Sequence, residues 1–319
     1  MIHRLSRSPS GRADLLVTIV HACLRGGLGG SPTAVVFEGF SASASADTSL
    51  DRPLTDAERR RVPALAGTSH AVFLSNDPFP AGSRASDGPR VSARFFTTEG
   101  ELPACGHGTV AALALLAARA GRGEQQVDVR VSGRVIKGRA IRGSSASSVD
   151  VVLEAGPIDL REPTPHELAL LLPALGLPVA NSPGACVATL GRPRLLVPVS
   201  TRSALAALSP APDRLAAACD RLDLLGCFAH SPGWDTDRVA ARMFAPSIGV
   251  PEDIANVNSS ACLAAHLRAR HGTPRIDVDM GDVLGSPSTV TAGARNGSKG
   301  PIVDITGAAR IGQVLHFFV

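Results

Sequence analysis

Short segments in which apolar and β-branched residues alternate with polar ones recur along the chain. In the first half they predict strands at residues 15–21, 33–38, 71–74, 91–97, 127–131, 134–141 and 149–153, with counterparts in the second half. Two helix starts are legible. "TDAE" (55–58) and "TPHE" (164–167) each place Glu three residues after Thr, the pattern of a capping box. Pro165 falls at a first helical position, where its missing N–H costs nothing. Two alanine-rich runs, "TVAALALLAARAG" (109–121) and "SACLAAHLRARHG" (260–272), predict helices that Gly121 and Gly272 can end. Residues 41–49 and 143–148 are Ser/Ala-rich and predict loops.

The pattern repeats. "ARFF" at 93–96 returns as "ARMF" at 241–244, and each is followed by a loop and an alanine-rich helix. "VDVRVSG" (127–133) is matched by "IDVDMGD" (276–282), and "GSPTAVVF" (30–37) by "GRPRLLVP" (191–198). The expectation is an α+β protein of two similar halves, 14–156 and 157–319, with a cleft between them. Residues 1–13 are rich in Arg and Ser without an acid and are expected to form a disordered leader.

Composition narrows the function classes. Of 319 residues, 44% are apolar and 19% charged, the balance of a globular protein. No apolar run approaches the ~20 residues of a membrane helix. The net charge is +4, Lys137 and Lys299 are the only lysines, and aromatics make up 3%. Scattered arginines with few aromatics argue against a nucleic-acid groove, while weak positive charge suits an anionic small molecule. The six cysteines include no CxxC pair and no zinc or iron–sulfur spacing, so no metal ligand set is expected. With no secretory pattern, reduced thiols in a cytoplasm are the expectation. A homodimer is the assembly considered.

Candidate chemistry lies in the repeated loops. "CGHGT" opens one alanine-rich helix and "NVNSS" the other. A helix start exposes unpaired N–H groups and about half a positive charge. Taken singly, each loop caps its helix. Facing each other, the two would clamp a carboxylate or an enolate-like charge. The candidate binding residues are Cys105, Gly106, Gly108 and Thr109 on one side and Asn256, Asn258 and Ser259 on the other, with Ser31 from the GSP segment.

"ARFFTTEGELPACGHGTVAA" and "ARMFAPSIGVPEDIANVNSSACLAAHL" resemble the two signature regions of the PhzF-like isomerases of phenazine biosynthesis. "GGSPTAVVF", "SHAVFL" (69–74), "LLGCFAHS" (224–231) and "LGSPSTV" (284–290) extend the likeness in order over most of the chain. The resemblance implies the diaminopimelate-epimerase-like fold. Its two pseudo-symmetric domains are each a curved, mostly antiparallel sheet around a central helix, and terminal strands may exchange between them. It also implies isomerisation or epimerisation of small carboxylates by proton transfer, without a cofactor. The family's Gly-His pair falls on Gly106 and His107, and its acid on Asp253. Where the family continues Ala-Thr-Gly-Ser, this chain has Ala255, Asn256, Val257 and Asn258. Where the family commonly has its general acid/base glutamate, this chain has His70.

His70 reads as a substituted proton shuttle titrating near ~6.5, against a plain polar residue at a strand edge. His107, at a helix start, is expected to stay neutral and donate a hydrogen bond, against a simple cap. Asp253 reads as a second acid or an anchor for a substrate amine, against a helix-start acid. "CGHGT" also resembles the proline-racemase family, in which each half supplies one cysteine. Here the matching place holds Asn258 and Ser259, with Cys262 a turn further on, so Cys105 reads as a small buried residue. The leading expectation is an isomerase that moves a proton and a double bond along a small unsaturated amino- or imino-acid-derived carboxylate, in specialised, antibiotic-type metabolism. A proline-type racemase or epimerase and an inactive binding homologue are the alternatives.

Overall fold

The computed structural model describes residues 14–38, 53–76, 90–121, 123–142, 148–179, 183–231, 237–297 and 300–319. The expected leader 1–13, the loop 41–49 and residues 143–147 of the second loop lie outside them. Among the described residues, seventeen strands join in one connected sheet with six α-helices.

The first half runs β1 (Asp14–Ala22), β2 (Ser31–Glu38), α1 (Asp56–Ala66), β3 (His70–Asn76), β4 (Arg90–Phe96), β5 (Glu101–Leu102), α2 (Gly106–Ala120), β6 (Glu124–Val131), β7 (Arg134–Arg142) and β8 (Ser148–Glu154). The second runs β9 (Asp159–Arg161), α3 (Pro165–Ala174), β10 (Cys186–Leu190), β11 (Arg192–Pro198), α4 (Arg202–Ala206), α5 (Pro212–Leu222), β12 (Cys227–Ser231), β13 (Arg238–Ala245), β14 (Val250–Asp253), α6 (Val257–His271), β15 (Arg275–Met280), β16 (Ser288–Gly297) and β17 (Gly300–Phe318).

All seven expected first-half strands form. Both capping boxes close, at Thr55–Glu58 and Thr164–Glu167. Gly272 ends α6 in the left-handed conformation, whereas Gly121 follows α2 at φ 103° and ψ −149°, outside it.

In the first half, β2, β1, β17, β8, β7, β6, β4 and β3 pair in that order, and β3 pairs back to β2, closing a barrel. The steps β2–β3 and β4–β6 are parallel and the others antiparallel. The second half repeats these steps, with β11–β12 and β13–β15 parallel. Its sheet continues through β16 into β17. The last strand therefore serves both halves: its start pairs with β16, its middle with β8 and its end with β1.

Helix α2 lies inside the barrel, and its side chains from His107 to Ala117 are buried all round. Such a helix must be apolar on every face, and the alanines let the strands close on it. A Cβ on Gly138 of β7 would sit 2.4 Å from Leu113 of α2. Helix α6 packs against β10, β11, β15, β16 and β17. Leu113 and Leu263 share one core, so the two helices are parts of one packed interior. Helix α1 covers the outer face of β2–β4 through Val62, and α3 and α5 cover β10–β13 through Leu171 and Leu215.

Candidate active site

The repeated arginines of "ARFF" and "ARMF" position the two loops. Arg94 clasps Glu101 of β5 through Nε at 2.8 Å and Nη2 at 2.5 Å. Arg242 clasps Glu252 of β14 in the same way, at 2.8 and 2.7 Å. Two-pronged pairs of this kind are directional. They fold β5 back on β4 and β14 back on β13, so the chain leaves each hairpin directly into α2 or α6. The two helix starts meet: a Cβ on Gly106 would lie 2.5 Å from Val257 Cβ.

Gly30 and residues 286–288 brace the site from behind. Gly30 N–H donates to Pro287 O, and Ser286 Oγ donates to Gly30 O. Ser288 Oγ donates to the carbonyl of Ile254 at 2.7 Å, which holds the loop carrying Asp253 and Asn256.

Between the helix starts and β11 lies a cleft of about 480 Å³, counting its open mouth. His70, Cys105, Gly106, His107, Asp253, Asn256 and Asn258 line it, as do Arg192, Arg194 and the apolar side chains of Leu102, Leu225 and Ile248. His70 stands at the first position of β3, in register with Thr33 of β2. Its ring meets that of His107 edge-on, with centroids 4.4 Å apart. His70 Nδ1 is 2.8 Å from Ser69 Oγ. His107 Nδ1–H donates to Ala255 O at 2.8 Å and lies 3.8 Å from Asp253 Oδ2. His107 Nε2 is 3.5 Å from Cys105 Sγ. Asn256 Nδ2 donates to Asp253 Oδ2, while its Oδ1 caps α6 through Ser259 N. His70, Cys105 and His107 also place ligand-type atoms within 4.8 Å of one another, a grouping that no sequence spacing announced.

The two histidines are pushed in opposite directions. Burial, reinforced by the neighbouring His107, drives His70 well below its ordinary value, so it is uncharged near neutrality. This differs from the expected titration near 6.5. Burial opposes charge on His107 too. There, however, Cys105 and Asp253, with the Ala255 carbonyl, outweigh it and raise the ring to about 9. His107 therefore carries a proton at neutral pH, which corrects the expectation of a neutral ring. That expectation weighed the helix dipole and missed the partners at both ring nitrogens. Asp253 is raised by burial, offset by His107, Asn256 and the N–H groups of Ala255 and Ile254.

Four expected binding residues do not line the cleft. Gly108 packs beneath it, where a Cβ would touch the Phe95 ring and Cys105 Sγ. Thr109 spends its hydroxyl on the carbonyl of Cys105. Ser259 Oγ points to Met243 Sδ inside the core. Ser31 is fully buried at the start of β2, beside the Gly30–Pro287 brace. Conversely, Arg192 and Arg194 line the cleft and were not foreseen. Cys23 has a φ of 64° and is fully buried, and its thiol is pushed up by burial and by Asp253 and Cys105. The signal for Arg194 was a charged residue inside the apolar run "RPRLLVP".

A family described as phenazine biosynthesis-like protein matches residues 26–313. The chain belongs to that family. A relative named "Uncharacterized isomerase YddE", from Salmonella typhimurium, is 30% identical over 249 residues, which cover 74% of this chain and 80% of the relative. A structure described as a predicted epimerase of Pseudomonas aeruginosa superposes with a TM-score of 0.73 at 23% identity, covering 96% of this chain and 99% of that one. A hydroxyproline epimerase of Agrobacterium vitis, with bound trans-4-hydroxy-L-proline, gives 0.63 at 13% identity over 96% and 91%. These neighbours share the strand-rich α+β fold. Among the described residues, no helix is long and apolar enough to cross a membrane.

Proposed function

We propose that this isomerase moves a proton, and with it a double bond, along a small unsaturated carboxylate by acid–base chemistry of its own side chains. The carrying observation is the His70–His107 pair: two buried rings in edge-on contact, one pushed down by burial and the other raised by Cys105 and Asp253 against its burial. Adjacent groups with separated affinities for the proton are the usual basis for assigning an acid and a base.

In this reading His70 Nδ1–H donates to Ser69 Oγ, so Nε2 keeps its lone pair. Nε2 takes a proton from a carbon next to the carboxylate. The electron pair shifts along the unsaturated system, and His107 gives its proton to the far carbon. A proton then returns from His70 to His107 across the ring contact. Substrate and product differ only in the place of one hydrogen and one double bond. The N–H groups at the starts of α2 and α6 oppose the negative charge that develops. Asp253 holds His107 in place and favours its proton. We also read residues 14–156 and 157–319 as two related domains around α2 and α6, with β17 exchanged between them. The repeated order of strand pairings supports this.

The test is uptake of deuterium from heavy water into the product. His70→Ala is expected to abolish both turnover and uptake, and near-normal exchange in that variant would overturn the assignment. Because acid and base are separate groups, inversion at one carbon is a second reading. Product analysis decides between migration and inversion, and binding without any exchange would point to an inactive homologue.

A further inference from the structure

The cleft lining includes a buried cation on β11 with no acid paired to it among the described residues. Arg194 is 1% exposed. Its Nη1 donates to Cys262 Sγ at 2.9 Å, and its Nη2 to the carbonyls of Leu190 and Arg192. All three acceptors are neutral groups: burial raises the Cys262 thiol, and Arg194 only partly offsets this. The Nε–H of Arg194 is buried without an acceptor. Among the described residues, no carboxylate lies within ion-pairing distance of the guanidinium. An arginine cannot shed its proton to escape burial. A buried, uncompensated charge is costly, and most proteins pair it. Yet the side chain is part of the cleft lining.

The position is informative. Cys262 lies on α6 one turn beyond Asn258, which adjoins Gly106 at the meeting of the helix starts. One helical turn advances about 5.4 Å. The cleft thus offers two places for negative charge, the helix starts beside the histidines and the guanidinium about a turn further along. Its one carboxylate, Asp253, is engaged by His107 and Asn256.

We propose that Arg194 receives a second anionic group of the substrate, so that the ligand of this cleft is a small dicarboxylate rather than a monocarboxylate. This rests on the isomerase reading for which carboxylate adjoins the reacting carbon, but not for the anchoring at Arg194. Arg192, half-exposed and within 3.6 Å of Asp223, would guide the anion in rather than hold it.

Calorimetry with three rigid probes tests this: isophthalate, benzoate and isophthalamide. Wild type is expected to bind isophthalate at least tenfold more tightly than benzoate, and isophthalamide not at all, with the preference weakening at high salt. Arg194→Met should bring isophthalate to within twofold of benzoate. Arg194→Lys, which keeps the charge, should retain part of the preference and guards against simple unfolding, which circular dichroism would report. Arg192→Met should leave the preference largely intact. Equal binding of isophthalate and benzoate by wild type, or an unchanged preference in a folded Arg194→Met, would overturn the proposal. Neither result depends on turnover. A protein that passes this test but shows no deuterium exchange would instead refute the isomerase reading.

Discussion

Gly106 and Val257 face each other where α2 and α6 begin, so closely that one added carbon on Gly106 would lie 2.5 Å from Val257 Cβ. The contact sets how far apart the two helix starts stand, and with it the width of the cleft. Gly106→Ala should therefore act through overpacking, costing about 1–3 kcal/mol of stability and lowering activity by pushing the helix starts apart. Val257→Gly removes the obstructing side chain. A double-mutant cycle on Gly106→Ala and Val257→Gly should show strong coupling, with the second change recovering activity lost to the first. Additive effects, read by denaturant melts and exchange rates, would mean the contact does not set the cleft.

The histidine pair predicts the pH profile. Activity needs His70 unprotonated and His107 protonated. On the basic side, exchange should fall as pH rises through about 9, where His107 loses its proton. On the acidic side, His70 is depressed by burial and by His107, so the loss should begin well below the 6.5 of a free imidazole. Asp253→Asn removes a charge that favours the His107 proton, so the basic limb should move to lower pH. Deuterium exchange measured across this range checks both limbs. A basic limb unmoved by Asp253→Asn would mean that another group titrates there.

The family resemblance implies a glutamate where this chain has His70, and that invites exchange of the two. A carboxylate at this position would face the His107 cation, which favours its ionised form. His70→Glu should keep exchange within about tenfold of wild type, whereas His70→Ala should lose the 10²–10⁴-fold typical of a general base. If His70→Glu is as inactive as His70→Ala, the position demands a neutral base and charge balance in the cleft is the reason.

Local signals carried most of the fold. Period-two alternation marked β1–β4 and β6–β8, and Thr–Glu spacing marked α1 and α3, because each depends on residues a few positions apart. Closure of the barrel was not legible in that way, since it needs β17 to pair with β1 from the other end of the chain. The same divide runs through the site. His70, His107 and Asp253 came from the family resemblance, and all three line the cleft. The raised proton affinity of His107 did not follow, because burial opposes it and it takes Cys105 beside the ring together with Asp253 and the Ala255 carbonyl, brought in by the other half of the chain, to outweigh that. Thr109 and Ser259 looked like binding groups because small hydroxyl residues cluster at helix starts, and Ser31 because of its GSP segment, but all three are buried in the interior. Arg194 was overlooked because an arginine on a strand ordinarily faces solvent.

The capping box at α3 gives a stability prediction separate from catalysis. Glu167 accepts from Arg161 Nη2 at 2.5 Å and from Thr164 N at 2.7 Å, and Glu167 N accepts nothing but donates to Thr164 Oγ1 at 3.2 Å. Arg161 above all, helped by Thr164 and opposed by partial burial, holds the Glu167 carboxyl at about 2 against 4.5 when unperturbed. The folded value is depressed, so the contribution is complete above the unfolded value and is lost as pH falls from about 4.5 toward 2. Thr164→Ala should cost about 1 kcal/mol at neutral pH. Glu167→Gln should also destabilise at neutral pH, but its melting curve should converge on the wild-type curve as the pH is lowered through that window. A constant difference between the two proteins from pH 6 to pH 2 would show that the Glu167 charge contributes nothing to the fold.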